Sequence, residues 1–202
     1  SVRGCKGARG TIDFPTSPVD HRADRRPTLH LVTFNLENLF DLVTERGERR
    51  GRWTPSYYEL EVKLQKLTLA MVDRLALPDI LVAQEIDNQE ILQELGDRLN
   101  RRCGTDYTAR SFATSDRRSI EVGFLFDRRR VELLQAYQLS GVPVERAFGS
   151  FSPSPGREPI VGLFRRGELT FRLIGVHLKS KSGISPLAPD RQEAEAIQES
   201  LR

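Results

Sequence analysis

With 202 residues, 38% of them apolar and 29% charged, the chain is long enough for one domain with a real core, and its composition excludes a fibre or wholesale disorder. No apolar run approaches the roughly 18 residues that span a bilayer, and the opening stretch SVRGCKGARG holds no apolar signal core, so a soluble globular protein is expected. The net charge of +3 comes from residues 1–28, where six Lys or Arg meet three Asp. The rest is balanced, which removes net charge as an argument for a nucleic-acid partner.

Residues 1–28 mix Gly, Ser, Arg and three prolines (Pro15, Pro18, Pro27) without periodicity, the composition of a tail or linker. The domain is therefore expected over 29–202. Leu29 to Phe34 is apolar and β-branched, a buried strand that runs into the polar Asn35. Thr54-Pro55 offers an N-cap and a first helical residue, followed by Leu60, Leu64, Leu67, Met71 and Leu75 at spacings of three and four, an amphipathic helix. Pro78 and Asp79 close the next turn, and Ile80 to Ala83 make a second strand ending in Gln84 and Glu85. A second helix follows over Asn88 to Leu99, with Ile91, Leu92, Leu95 and Leu99 on its apolar face.

The pattern then changes to period two. Tyr107–Phe112, Ile120–Phe126, Val131–Leu139, Pro159–Phe164 and Leu169–Val176 read as strands joined by charged turns. Val142–Gly156 holds three prolines and reads as a long loop. Pro189–Leu201 resumes a helical spacing through Ala194, Ile197 and Leu201. The order implies an α/β chain of the α+β kind: a mixed sheet with helices on one face, whose second layer must come from elsewhere.

Three apolar strands end in groups that can do chemistry: Asn35 after LHLVTF, Glu85 after ILVAQ and His177 after FRLIGV. Ligand sites in sheet proteins gather at strand ends, where the core opens to solvent. A carboxylate leaving a buried strand needs a compensator, either an Arg or a bound cation. His177 is followed by Lys179, Ser180 and Lys181, a cluster able to hold and protonate a phosphate ester. Of the 31 cationic residues 26 are Arg, whose planar fork suits phosphate oxygens, although a coding sequence rich in G and C produces the same excess and is the favoured explanation. Cys5 and Cys103 have no CxxC neighbour, which argues against zinc and leaves one disulfide open. No GxGxxG follows the first strand, which disfavours a nucleotide-binding sheet.

Five segments in this order and at these intervals, TFNLENLFD (33–41), DILVAQEIDN (79–88), EVGFLFD (121–127), REPIV (157–161) and GVHLKSKSG (175–183), together resemble the endonuclease/exonuclease/phosphatase family over residues 29–202. The resemblance implies a four-layer α-β-β-α sandwich and metal-dependent hydrolysis of phosphate esters. It assigns Glu85 as the metal-binding acid, Asn35 as the residue beside the metal and the scissile phosphate, and His177 as the catalytic histidine facing that phosphate. Arg157, in the family's Arg-x-Pro position, is implied to be a phosphate-side or structural residue, while Lys179 and Ser180 stay phosphate-binding candidates from their place beside His177. The implied cation is Mg2+, with Mn2+ or Ca2+ as alternatives, since hard oxygen donors suit such ions.

NLENLFD and HLKSKSG look most like the secreted bacterial nucleases of that family, which implies a DNA or RNA partner. A phosphatase or phospholipid phosphodiesterase acting on inositol phosphates or sphingomyelin, and a non-catalytic interaction module, stay open. The family's Asp-x-Asn strand end and closing Asp-His pair do not follow His177; the one Asp-His is Asp20-His21, in the leading segment. The chain is thus expected to be a partial sandwich, truncated before its second half is complete, without its general base, poorly active alone and with one sheet face exposed.

Overall fold

A computed structural model describes residues 28–42, 54–114, 120–139 and 158–177. The leading tail, the proline loop 142–156 and the helix expected over 189–201 lie outside the described residues.

Nine elements follow in order: β1 (Leu31–Leu39), α1 (Tyr57–Asp73), β2 (Ile80–Ile86), α2 (Gln89–Cys103), β3 (Tyr107–Ser111), β4 (Glu121–Asp127), β5 (Glu132–Gln138), β6 (Ile160–Arg166) and β7 (Leu169–Gly175). The first four strands make a mixed sheet in the order β1-β2-β4-β3, with β1 parallel to β2 and the other pairs antiparallel. The last three make an antiparallel sheet, β5-β6-β7.

Both faces of the mixed sheet are used. On one, Leu81, Ala83, Leu125 and Tyr107 pack against Leu60, Leu64 and Met71 of α1 and Leu92, Leu95 and Leu99 of α2. On the other, Ile80, Val82, Val122, Phe124 and Phe126 pack against Ile160 and Phe164 of β6, with Phe171 and Leu173 of β7 at the margin. The ring of Phe164 meets Phe124 and Phe126 edge-on, at centroid separations of 5.3 and 5.5 Å, a favoured geometry for aromatic quadrupoles. Gly175 marks the closest approach of the sheets. A Cβ there would lie 2.9 Å from both Ile160 and Val82 and 3.1 Å from Val122.

The structure corrects the sequence reading in three places. The second layer does not come from elsewhere, because the chain's own β5–β7 provide it. Strand β1 does not stop at Asn35; it continues to Leu39, which pairs with Ile86 after an irregularity, because Leu36 and Leu39 find full burial there. Helix α1 is capped not by Thr54 but by Ser56, whose hydroxyl accepts from the Glu59 N–H while the Glu59 carboxylate accepts from the Ser56 N–H. That reciprocal capping box satisfies two orphan donors and outcompetes the Thr-Pro start. Helix α2 begins as expected, with Asn88 accepting from the Ile91 N–H at 2.8 Å. It runs on to Cys103, where Gly104 at φ 65° supplies a left-handed stop.

The end of the sheets where β2 begins is closed by ions. Asp79, fully buried, accepts from the His30 N–H at 2.9 Å and pairs with Arg130 at 3.1 Å and Arg166 at 3.2 Å. Arg130 also faces Asp127 at 3.8 Å. Since Asp79 adjoins the mixed sheet and Arg166 ends β6, this cluster ties one sheet to the other. Cys103 is disulfide-bonded, and Cys5 lies outside the described residues. Among the described residues no helix is long and apolar enough to cross a membrane. Exposed large apolar side chains concentrate on the second sheet, where Leu134, Tyr137, Leu169 and Ile174 are open to solvent.

Candidate metal and phosphate site

The opposite end of the same strands is irregular, and the irregularity places the polar residues. Alternation along β2 sends Leu81 and Ala83 into the helix layer and would send Glu85 there as well. Instead the register shifts between Gln84 and Ile86, Ile86 takes the apolar position, and Glu85 adopts φ 62°. Opposite it, β1 shifts register between Asn35 and Leu39, with Glu37 at φ 52° and Asn38 at φ 60°. A left-handed conformation costs a non-glycine residue about 1–3 kcal/mol. Three such residues facing one another at the ends of two paired strands are a place where local geometry is subordinated to something else.

The result is a half-buried carboxylate turned to the strand ends. Glu85 Oε1 stands 3.5 Å from His177 Nε2, while Oε2 accepts from the Asn38 N–H at 3.1 Å. His177 follows β7, so the pair joins the two sheets at this end as Asp79 and Arg166 join them at the other. Asn35 lies in register with Gln84, one residue before Glu85. Its side-chain oxygen accepts from the Glu37 N–H at 2.8 Å, and the side chain is exposed. Thr33 and Gln84, hydrogen-bonded to each other at 2.8 Å, line an open cleft of about 340 Å3 between β1 and β7 with Leu31, Val82, Leu173 and Val176. Glu121 starts β4 at this same end, buried, and accepts from the Ser111 hydroxyl at 2.6 Å; Glu158 accepts from Thr114 at 2.8 Å.

Of the six site residues expected from sequence, Glu85, His177 and Asn35 are thus gathered at one end of the sheets, whereas Arg157, Lys179 and Ser180 lie outside the described residues. One residue of this end was not among them. Lys63, on α1, donates to the carbonyl of Glu37 and, at 3.3 Å, to that of Asn38. Burial pushes its ammonium below the usual lysine range, and the nearby Glu37 and Glu85 carboxylates oppose that shift. The sequence carries no signal that singles it out: Lys63 adjoins Leu64 and stands three residues from Leu60, on the flank of the helix's buried stripe, where a lysine stem commonly lies along apolar surface with its head in water.

Among the described residues no group of three or more His, Cys, Asp or Glu stands together as a metal cage, and the soft donors of a zinc site are not at this end. A single carboxylate suffices for a hard cation that keeps most of its water and takes one or two protein oxygens. The residues present are compatible with Mg2+ or a similar ion, for which Glu85 would be the charged ligand.

No family model and no curated protein matches the chain. Solved structures similar to it include the humanized TDP2 of D. rerio carrying 14 mutations, at 17% identity and TM-score 0.49, over 86% of this chain and 56% of that one. The human Nocturnin catalytic domain with bound sulfate is similar at 18% identity and TM-score 0.49, over 79% and 54%. The endonuclease/exonuclease/phosphatase from Bacteroides vulgatus is similar at 15% identity and TM-score 0.48, over 75% and 52%. The chain spans a little over half the length of each.

Proposed function

We propose that this chain carries the metal-binding and phosphate-facing part of a divalent-metal-dependent phosphodiesterase, an endonuclease acting on DNA or RNA. The observation that carries the reading is the convergence of Glu85 and His177, from two different sheets, to 3.5 Å at a strand end where the backbone departs from regularity on both paired strands. The five motif segments that resemble the endonuclease/exonuclease/phosphatase family give the same residues the same roles.

Each side chain has a definable task. Glu85 would hold the cation, its Oε2 being oriented by the Asn38 N–H. When bound, a divalent ion polarises a phosphoryl oxygen and offsets charge on the leaving oxygen. His177, when protonated, donates from Nε2 to a phosphate oxygen on which negative charge accumulates. Asn35 keeps its oxygen on the Glu37 N–H, which leaves its amide N–H2 as the group that could donate to the same phosphate. The sheet-to-sheet contact at Gly175, two residues before His177, sets how near the imidazole comes to Glu85.

Supercoiled plasmid incubated with the chain and Mg2+ tests this reading. Expected is slow nicking, since the closing Asp-His pair does not follow His177, that a chelator abolishes and that Glu85→Ala and His177→Ala each lower further. Cleavage of inositol phosphates or sphingomyelin without cleavage of DNA or RNA moves the substrate to the phosphatase or phospholipid class. Absence of cleavage together with absence of metal binding leaves an interaction module.

A further inference from the structure

We infer that Lys63 is a positioning residue for this site: by clamping the carbonyls of Glu37 and Asn38 it holds the left-handed turn whose N–H groups fix Asn35 and Glu85. The inference rests on the metal-site reading above and adds to it a residue that belongs to none of the five motif segments.

The hydrogen bonds of the turn account for every backbone group that the site uses. The Glu37 N–H goes to the Asn35 side-chain oxygen at 2.8 Å, and the Asn38 N–H goes to Glu85 Oε2 at 3.1 Å. The two carbonyls go to the Lys63 ammonium. Two consecutive non-glycine residues at φ 52° and 60° are a costly conformation; the similar pair Ala76 and Leu77 is tied by the Leu77 N–H to the Met71 carbonyl at 2.8 Å, and at Glu37 and Asn38 the tie is the ammonium. An ammonium has three donors on a flexible stem, and here one of them bridges successive carbonyls that only a turned backbone brings to the same side. Without the clamp, Glu37 and Asn38 are free to return to extended geometry, which withdraws the Asn38 N–H from Glu85 and lets the carboxylate leave its orientation.

Lys63 does not touch substrate or cation in this account. Its bare electrostatic influence on the site has the opposite sign to its positioning influence. A cation near Glu85 repels a second cation, so if Lys63 acted only through its charge, removing it would tighten metal binding. If it acts by holding the turn, removing it weakens metal binding.

The experiment uses the whole 202-residue chain, Mn2+ as probe, electron paramagnetic resonance for affinity and hydrogen exchange for the Asn38 amide. In Lys63→Met the expected result is about tenfold weaker Mn2+ binding, the usual scale for losing a group that orients a ligand. Exchange at Asn38 should accelerate by roughly tenfold, as befits one lost charge-assisted hydrogen bond. Lys63→Arg should restore both, while Leu60→Val, a neighbouring change that leaves the ammonium in place, should alter neither. Unchanged Asn38 exchange in a folded Lys63→Met, or tighter Mn2+ binding, overturns the inference. Should Lys63→Met fail to fold, Lys63→Gln, which keeps a donor and loses the charge, takes its place under the same criteria. If the unsubstituted chain takes up no Mn2+, the metal-site reading fails by itself, and the exchange measurement still decides whether Lys63 holds the turn.

Discussion

Strand β2 has a carboxylate at each end, and the two are treated differently. At the start, Asp79 is fully buried and held by Arg130, Arg166 and the His30 N–H, and the left-handed residues near it, Ala76 and Leu77, lie in the preceding helix-to-strand turn, outside the strand pairing. At the finish, Glu85 meets an amide N–H and an imidazole on a backbone bent into positive φ at three positions. The first end is built for cohesion, since its charges are answered by guanidinium groups of the chain itself. The second accepts backbone strain to aim an acid at the margin of the fold, the arrangement expected where the answering positive charge arrives from outside.

The largest effect should come from the cohesive end. Asp79→Ala strips a buried pair of its anion and leaves Arg130, which is 9% exposed, with only its longer contact to Asp127 at 3.8 Å, so urea unfolding should show a loss of about 3 kcal/mol. Metal binding, at the far end of the strand, should survive wherever the variant is folded. Next comes the contact between the sheets. Gly175→Val forces atoms into Ile160, Val82 and Val122, and unfolding should register about 1–3 kcal/mol from overpacking. Because β7 must shift, His177 shifts with it, and cleavage should fall further than the stability change alone explains.

At the strained end the sign reverses. Glu85→Gly removes the side chain that bears φ 62° and should leave the fold unharmed or stabilise it by about 1 kcal/mol, while Mn2+ binding disappears. Loss of both stability and binding would place Glu85 with the structural ions such as Asp79. The smallest effect lies outside both regions. The Glu59 carboxyl is held below its ordinary value of 4.5, first by the Ser56 backbone N–H and then by the Ser56 hydroxyl. Its folded value is thus lower than its unfolded one, so the stabilisation it gives is complete above 4.5 and disappears as the pH falls through the folded value. Glu59→Gln should flatten that acid limb of a melting-temperature profile and leave the neutral region nearly unchanged.

Regular parts of the fold were legible because their signals are periodic. The Leu60, Leu64, Leu67 and Met71 stripe could only be a helix face, and five runs of period two became five strands. Asn35 within β1, Glu85 near the end of β2 and His177 after β7 could be picked out because each breaks an apolar run. The positions where the chain leaves regularity could not be read. A bulge at Glu85 and left-handed Glu37 and Asn38 carry no glycine to announce them, so the apolar run ends at Phe34, five residues before β1 does. Thr54 and Ser56 are both good N-caps, and only the reach of Glu59 separates them. Asp79 passes for an ordinary turn residue until Arg130 and Arg166, distant in sequence, are folded onto it. Lys63 passes for a solvated helix lysine until β1 is folded beneath it.

Paramagnetic broadening by Mn2+ in an amide-resolved NMR spectrum separates the two ends of β2 in one measurement. The account predicts that substoichiometric Mn2+ broadens the amides of Asn35, Asn38, Glu85 and His177 and leaves those of Asp79, Asp127 and Arg166 sharp, with the pattern lost in Glu85→Ala. Broadening centred on Asp79 and Asp127, or spread evenly over the acidic surface and indifferent to Glu85→Ala, would contradict it.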